Sequence, residues 1–159
     1  MNSPAIPVAP FPDLTPFNRC LDGDGLVGAL RFLNGRTPHR FTGVYRFDQS
    51  MLRNVALVDK WNLSVTRGED VPLAEAFCAH LYVVGGSIKV VDGGRDPRTP
   101  WMRDGSNVSY SGATILDEAG QRWGSLCHFD PAPCEGNQSD MAWLQSAASL
   151  IFKASQGQG

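Results

Sequence analysis

Four thiols, three histidines, an acid-and-arginine loop and a set of aromatic residues with polar tips are the groups in this chain with chemistry to offer. Cys20, Cys78, Cys127 and Cys134 contain no C-x-x-C spacing, and a cytoplasmic chain keeps such thiols reduced. Metal ligation has a superficial case in Cys78-Ala79-His80 and in Cys127-His128 followed by Cys134. Geometry argues against both. Neighbours in a strand point to opposite faces, and residues two apart on a helix diverge by about 200°. Asp22-Gly23-Asp24-Gly25 resembles the start of a calcium loop, but the third acid and the terminal glutamate are missing.

The segment Asp92-Gly93-Gly94-Arg95-Asp96-Pro97-Arg98 could hold an anion through its arginines and glycine N–H groups, with Asp92 at the strand end. The competing reading, a turn in which Asp96 accepts backbone hydrogen bonds and Arg98 pairs with a carboxylate, is favoured. No H-E-x-x-H, no G-x-S-x-G and no glycine-rich loop with a following lysine occurs. Tyr45, Trp101, Tyr110 and Trp123 suit ligand gripping, since each supplies area and a hydrogen bond at low entropic cost. Core packing competes with that role at every one of them.

The elements that position these groups follow from periodicity. Residues 108–130 read as a hairpin: strand-like residues to Leu116, a polar turn through Asp117-Glu118-Ala119-Gly120, and strand-like residues from Arg122. Residues 41–47 alternate with Phe41, Gly43, Tyr45 and Phe47 on one face, and residues 52–58 return after Asp48-Gln49-Ser50 as the partner strand. Leu26, Val27, Leu30 and Leu33 fall at helical spacing within residues 19–33, with Asp22 or Asp24 as the cap and Gly35 as the end. A short helix is predicted over 73–81, a strand over 87–91 and a loop with Trp101 over 97–106. Ser139 caps a closing helix striped by Met141, Leu144, Ala148 and Ile151. Parity sets Trp123, Ser125, Cys127 and Phe129 against Gly124, Leu126 and His128. It leaves open which set lines a pocket.

Composition narrows the partners. The 159 residues carry 14 Lys+Arg against 16 Asp+Glu, a net charge of −2, so the basic footprint that dominates nucleic-acid affinity is absent. No apolar run approaches the roughly 18 residues of a membrane span, and the proline-rich start lacks a basic end and an apolar core, which predicts a cytoplasmic protein. Residues 1–16 are expected to form a semi-rigid tail, 17–155 one domain, and 156–159 a disordered end.

Tyr110-Ser111-Gly112, Leu116, Gly120, Gly124-Ser125-Leu126-Cys127 and Asp130 resemble the signature hairpin of GAF domains. Phe77-Cys78, Val91-Asp92 and Asp96-Pro97-Arg98 are similar to the preceding landmarks of GAF domains in bacterial sensory proteins, in the same order, and residues 138–152 fit the closing helix. The resemblance covers about residues 17–153. It implies an α+β, GAF-like and PAS-related fold: a mostly antiparallel sheet of five to six strands, terminal helices packed on one face, and a short helix with loops roofing a ligand pocket on the other. A sheet apolar on both faces must be covered twice, and a roof of loops packs imperfectly, which leaves room for a small molecule.

The implied function is that of a sensory or signalling module that binds an unidentified small molecule and acts through a protein partner or a homodimer of its terminal helices, without catalysis. Its expected ligand-binding residues are Tyr45, Phe77, Asp92, Trp101, Tyr110, Trp123, Cys127 and His128. His128 would bind a carboxylate or titrate between pH 5 and 8 if it faces the pocket, and is a satisfied core histidine if it lies beneath the helices. A structural dimerisation module with a filled pocket is an alternative. Another is the GAF branch that reduces free methionine-(R)-sulfoxide, in which a thiolate attacks the sulfoxide and a second cysteine resolves the sulfenic acid. That branch carries its cysteines ahead of the central hairpin, and between Leu81 and Leu126 this chain has none. Nor does any motif for covalent bilin attachment surround the cysteines.

Overall fold

In the computed structural model, which describes residues 11–99 and 107–156, six strands pair antiparallel in the order β3-β2-β1-β6-β5-β4. Along the chain these are β1 (Phe41–Asp48), β2 (Met51–Asp59), β3 (Val71–Pro72), β4 (Ser87–Val90), β5 (Ser109–Leu116) and β6 (Arg122–Asp130). Helix α1 (Thr15–Asn34) precedes them, α2 (Ala79–Val83) lies between β3 and β4, and α3 (Asp140–Ser155) closes the chain.

Alternation on the strands gives the sheet two apolar faces, and each is covered. On one, α1 and α3 bury Phe17, Leu30, Leu33, Leu144 and Ile151 against Val44, Ile115 and Leu126. On the other, α2 and the 3-10 turn Leu73–Glu75 pack Leu73, Phe77 and Leu81 against Tyr45, Val90, Tyr110 and Cys127. The α3 stripe is thus consumed inside the chain: Leu144, Ala148 and Ile151 are buried, and Met141 is half-buried. The surplus apolar surface expected for dimerisation is not presented by that stripe.

Several local expectations change. Helix α1 begins four residues before the predicted start, because Asp13 Oδ1 accepts from the Thr15 N–H at 3.0 Å and the Thr15 hydroxyl at 2.7 Å, and Pro16 occupies the first turn, where its missing donor costs nothing. Asp22 and Asp24 therefore lie inside the helix rather than capping it, and the helix kinks at Gly25, whose φ is 73°. The single helix expected over 73–81 divides into the 3-10 turn and α2, since Ala76 is extended between them. Ser139 holds the cap position of α3 but makes no side-chain cap. The neighbouring Asp140 carboxylate instead accepts from the Asn137 N–H at 2.9 Å and the Thr37 hydroxyl at 2.7 Å. Gly120 closes the β5–β6 turn with φ 79°, the left-handed conformation for which glycine suits that turn.

Two bulges interrupt the parity. Val44 faces Ala56 and Tyr45 faces Asn54, which leaves Val55 unopposed; Ile115 faces Gly124 and Leu116 faces Arg122, which leaves Trp123 unopposed.

Candidate functional site

The site grows from one row of the sheet. Gly43 of β1, Cys127 of β6 and Gly112 of β5 lie side by side, and the two glycines admit tyrosine rings across them. A Cβ on Gly43 would stand 3.0 Å from the Tyr45 ring, and one on Gly112 would collide with the Tyr110 ring and hydroxyl. With no side chains in the way, Tyr45 and Tyr110 flank the Cys127 thiol, which donates to the Gly43 carbonyl at 3.6 Å.

Above this floor, between sheet and roof, is a cavity of about 280 Å³. Tyr45, Phe77, Tyr110 and Phe129 contribute its aromatic walls, Leu52 and Val71 its aliphatic ones, and Cys78 and Cys127 their thiols. Phe77 stacks on Tyr110 with centroids 5.3 Å apart, and Tyr45 is tilted 54° from Phe129 at 6.3 Å. Glu75 and Asn107 add polar groups to the lining. At about 30 Å³ per water, the volume corresponds to roughly nine waters, just below the usual range for drug-sized ligands.

The roof is pinned at two places. Phe47 meets Tyr82 edge-on at 5.1 Å, and the Arg122 guanidinium donates to the carbonyls of Tyr82, Val83 and Val84 at 3.1, 2.7 and 3.0 Å, satisfying the last turn of α2 from the β5–β6 hairpin.

At the back of the cavity the Cys78 Sγ lies 2.9 Å from the Tyr110 hydroxyl and 3.1 Å from the Ser125 hydroxyl. Burial pushes the Cys78 thiol up, but the neighbouring Cys127 thiol and the Ser125 and Tyr110 hydroxyls outweigh it and leave the thiol below its ordinary range. Burial and the neighbouring Cys78 push Cys127 the other way. Cys78 is therefore the more acidic member of an adjoining pair. Burial, helped by the two thiols and the Asp70 carboxylate, raises Tyr45 far above its usual range, so that ring presents a neutral hydroxyl.

The structure gathers four of the eight expected ligand residues, Tyr45, Phe77, Tyr110 and Cys127, around this cavity. Trp101 lies outside the described residues. Trp123 is moved to the opposite face: as the bulge residue it packs edge-on against Phe152 of α3 at 5.4 Å. Asp92 stands apart in the β4–β5 connection, where Oδ1 accepts from the Gly94 N–H at 3.1 Å and the carboxylate faces Arg95 at 3.7 Å. In the same loop Asp96 receives the Arg98 N–H at 2.9 Å and its guanidinium at 2.6 Å, the turn-fixing arrangement favoured from the sequence.

His128 also leaves the site. It lies beneath the helices, 1 % exposed, with Nδ1 2.6 Å from the Thr42 hydroxyl and its ring stacked on His39 at 5.8 Å. Burial, with His39 and Lys60 nearby, takes it down to about 3, so it is neutral at physiological pH. His39 joins the same buried network. The Thr37 hydroxyl gives its proton to Asp140, so the 2.8 Å contact requires His39 Nδ1 to donate; Nε2 is left without a partner among the described residues. This network ties α3 to β1.

Sequence reasoning missed Glu75, Cys78, Asn107 and Phe129 as wall residues. Parity set Phe129 on the face of Cys127, a usable signal; Glu75 lies in the predicted 73–81 helix, whose division at Ala76 could not be read, and Asn107 comes from an irregular segment. Among the described residues, no group of three His, Cys, Asp or Glu side chains could hold a metal ion, and no helix is long and apolar enough to cross a membrane.

An antiparallel sheet with terminal helices on one face and a short helix roofing a largely apolar cavity on the other defines an α+β class of folds. Within it, the fold is that of GAF domains. The GAF domain of an Acinetobacter phosphoenolpyruvate-protein phosphotransferase aligns with a TM-score of 0.68 at 11% identity, over 91% of this chain and 92% of that one. Type II free methionine-R-sulfoxide reductase from Thermoplasma acidophilum aligns at 0.64 and 19% identity, over 91% and 96% of the two chains. The reductase from Neisseria meningitidis, in complex with its substrate, aligns at 0.62 and 18%, over 86% and 80%. No protein-family model matches the chain, and no curated protein matches it in sequence.

Proposed function

We propose that the chain is a small-molecule-binding sensory or signalling domain of the GAF family, with residues 17–155 as its working unit and without catalysis of its own. The observation that carries this reading is the cavity of about 280 Å³ above the Gly43–Cys127–Gly112 row, apolar in most of its wall and supplied with a few polar groups. Tyr45, Phe77, Tyr110 and Cys127 are its ligand-contacting residues, joined by Cys78 and Phe129. The four free cysteines fit a cytoplasmic setting. The signal leaves through a protein partner or through pairing of two copies by the outer faces of α1 and α3, and a monomeric mass at micromolar concentration rejects the pairing. A thermal-shift screen of small metabolites against the wild type and Ala76→Trp, which fills the cavity from the roof, tests the binding reading. Compounds that stabilise only the wild type support it; compounds that stabilise both equally, or none at all, overturn it.

The adjoining thiols favour a second reading, reduction of free methionine-(R)-sulfoxide. A Cys78 thiolate attacks the sulfoxide sulfur while a proton from solvent reaches the sulfoxide oxygen; the S–O bond to methionine breaks, methionine departs with its sulfur reduced, the oxygen passes to Cys78 as a sulfenic acid, and the Cys127 thiol displaces that hydroxyl as water to give a disulfide. An external dithiol then takes up the disulfide and is itself oxidised. Lining of the cavity by both sulfurs supports it; their positions differ from those the resemblance implies for reductases. Methionine released from the sulfoxide in the presence of dithiothreitol, and lost in Cys78→Ser, would establish it, whereas no release would dismiss it.

A further inference from the structure

The charge and ring content of the cavity wall point to the kind of ligand it takes, an argument that rests on the binding reading above. Four aromatic rings, those of Tyr45, Phe77, Tyr110 and Phe129, border one small volume. Tyr45 and Phe129 are tilted 54° apart and form a corner, while Phe77 and Tyr110 stack on each other. Aromatic faces carry negative potential and hold cations most strongly where water is excluded. Among the described residues, the only ionised side chain in the wall is a carboxylate, Glu75, which is solvent-exposed in the 3-10 turn of the roof. No lysine, arginine or histidine among them lines the cavity.

An anion entering this space would lose its hydration and meet ring faces, thiols and the Glu75 carboxylate. A neutral compound would gain only the apolar contact. A compact ammonium ion gains that contact, the ring potentials and the attraction of Glu75. We propose that the cavity is an aromatic cage selective for a small quaternary or alkyl ammonium cation, with Glu75 as the acidic group at its entrance.

Three probes of one shape test this: choline, 3,3-dimethylbutan-1-ol, in which carbon replaces the charged nitrogen, and the anion 3,3-dimethylbutanoate. Titration calorimetry on the full chain is expected to show choline binding about tenfold or more tighter than the alcohol, with the carboxylate weakest. Glu75→Gln, at an exposed position that puts folding at no risk, is expected to weaken choline several-fold and leave the alcohol unchanged. Phe129→Leu is expected to erase most of the advantage of charge. An alcohol that binds as tightly as choline, or a carboxylate that binds more tightly, overturns the selectivity while the cavity reading stands. Failure of all three at millimolar concentration also overturns it, and xenon then separates the two readings. A 129Xe resonance shifted by the wild type but not by Ala76→Trp preserves an accessible cavity, and equal behaviour of the two proteins removes the cavity reading as well.

Discussion

Cys127 and His128 are consecutive in β6 and serve opposite sides of the sheet: the thiol lines the roofed cavity, and the imidazole is sealed under α1 and α3 with Nδ1 2.6 Å from Thr42 Oγ1. The sheet is the wall between a ligand compartment and a polar network that fixes the helices. Substitutions on the two faces are therefore expected to separate, one set changing binding and the other changing stability and its pH dependence.

The pH dependence follows from His128. Its folded-state value, down to about 3, lies below the unfolded value near 6.5, so the native state resists protonation that the unfolded chain accepts. Its contribution is intact above pH 6.5 and is lost as pH falls from there towards 3. Between pH 7.5 and 5.0 this one group is expected to remove about 2 kcal/mol. Urea unfolding of the wild type and His128→Gln at the two pH values checks it. The variant is expected to lose less stability on acidification than the wild type, and an equal loss contradicts the assignment.

Tyr110 is 3 % exposed and yet borders open volume, so Tyr110→Ala is expected to cost about 3 kcal/mol, at the lower end for a large aromatic, because part of its surface faces the cavity rather than neighbouring atoms. Tyr110→Phe keeps the packing and removes one of the contacts that, after those of Cys127 and Ser125, hold the Cys78 thiol down. Alkylation of Cys78 by iodoacetamide at pH 8 should then slow several-fold, as peptide mass mapping would show; an unchanged rate would sever the link between the two side chains.

Gly112 is required by contact, not by backbone angle. Gly112→Ala drives a methyl into the Tyr110 ring, and about 1–3 kcal/mol of stability is expected to be lost as that ring moves off Cys78. Chemical denaturation measures the loss, and near-ultraviolet circular dichroism reports the tyrosine. A stable variant with an unchanged spectrum would mean the ring has somewhere else to go.

Arg122 joins the hairpin to the roof through three carbonyls at the end of α2. Arg122→Ala is expected to speed amide hydrogen exchange at Val84 and Gly85, whose N–H groups bond back to His80 and Leu81, by about fivefold or more while β5 and β6 are unaffected. Uniform acceleration across the sheet would instead mark a global effect.

Much of the fold was legible because apolar alternation and turn residues act locally. Residues 41–47 and 52–58 pair across Asp48-Gln49-Ser50, and the 108–130 hairpin turns at Gly120, where the structure has β1–β2 and β5–β6. Side-chain direction was legible only as far as strict alternation lasts. Phe129 and Cys127 keep their parity, while Trp123, the unopposed residue of the register shift, crosses to the helices. Which face holds the cavity depends on what α2 and the terminal helices cover, a tertiary outcome that parity does not contain. Cys78 reads as a small packing residue in sequence, and it becomes a wall group only because the break at Ala76 swings α2 over Tyr110 and Ser125.

The central claim, that the roofed cavity holds a small molecule, is tested most directly by native mass spectrometry of freshly isolated wild type beside Ala76→Trp. The account predicts a non-covalent adduct on the wild type that disappears on denaturation and is missing from the variant. The same bare mass for both proteins, or an adduct that survives filling of the cavity, would contradict it.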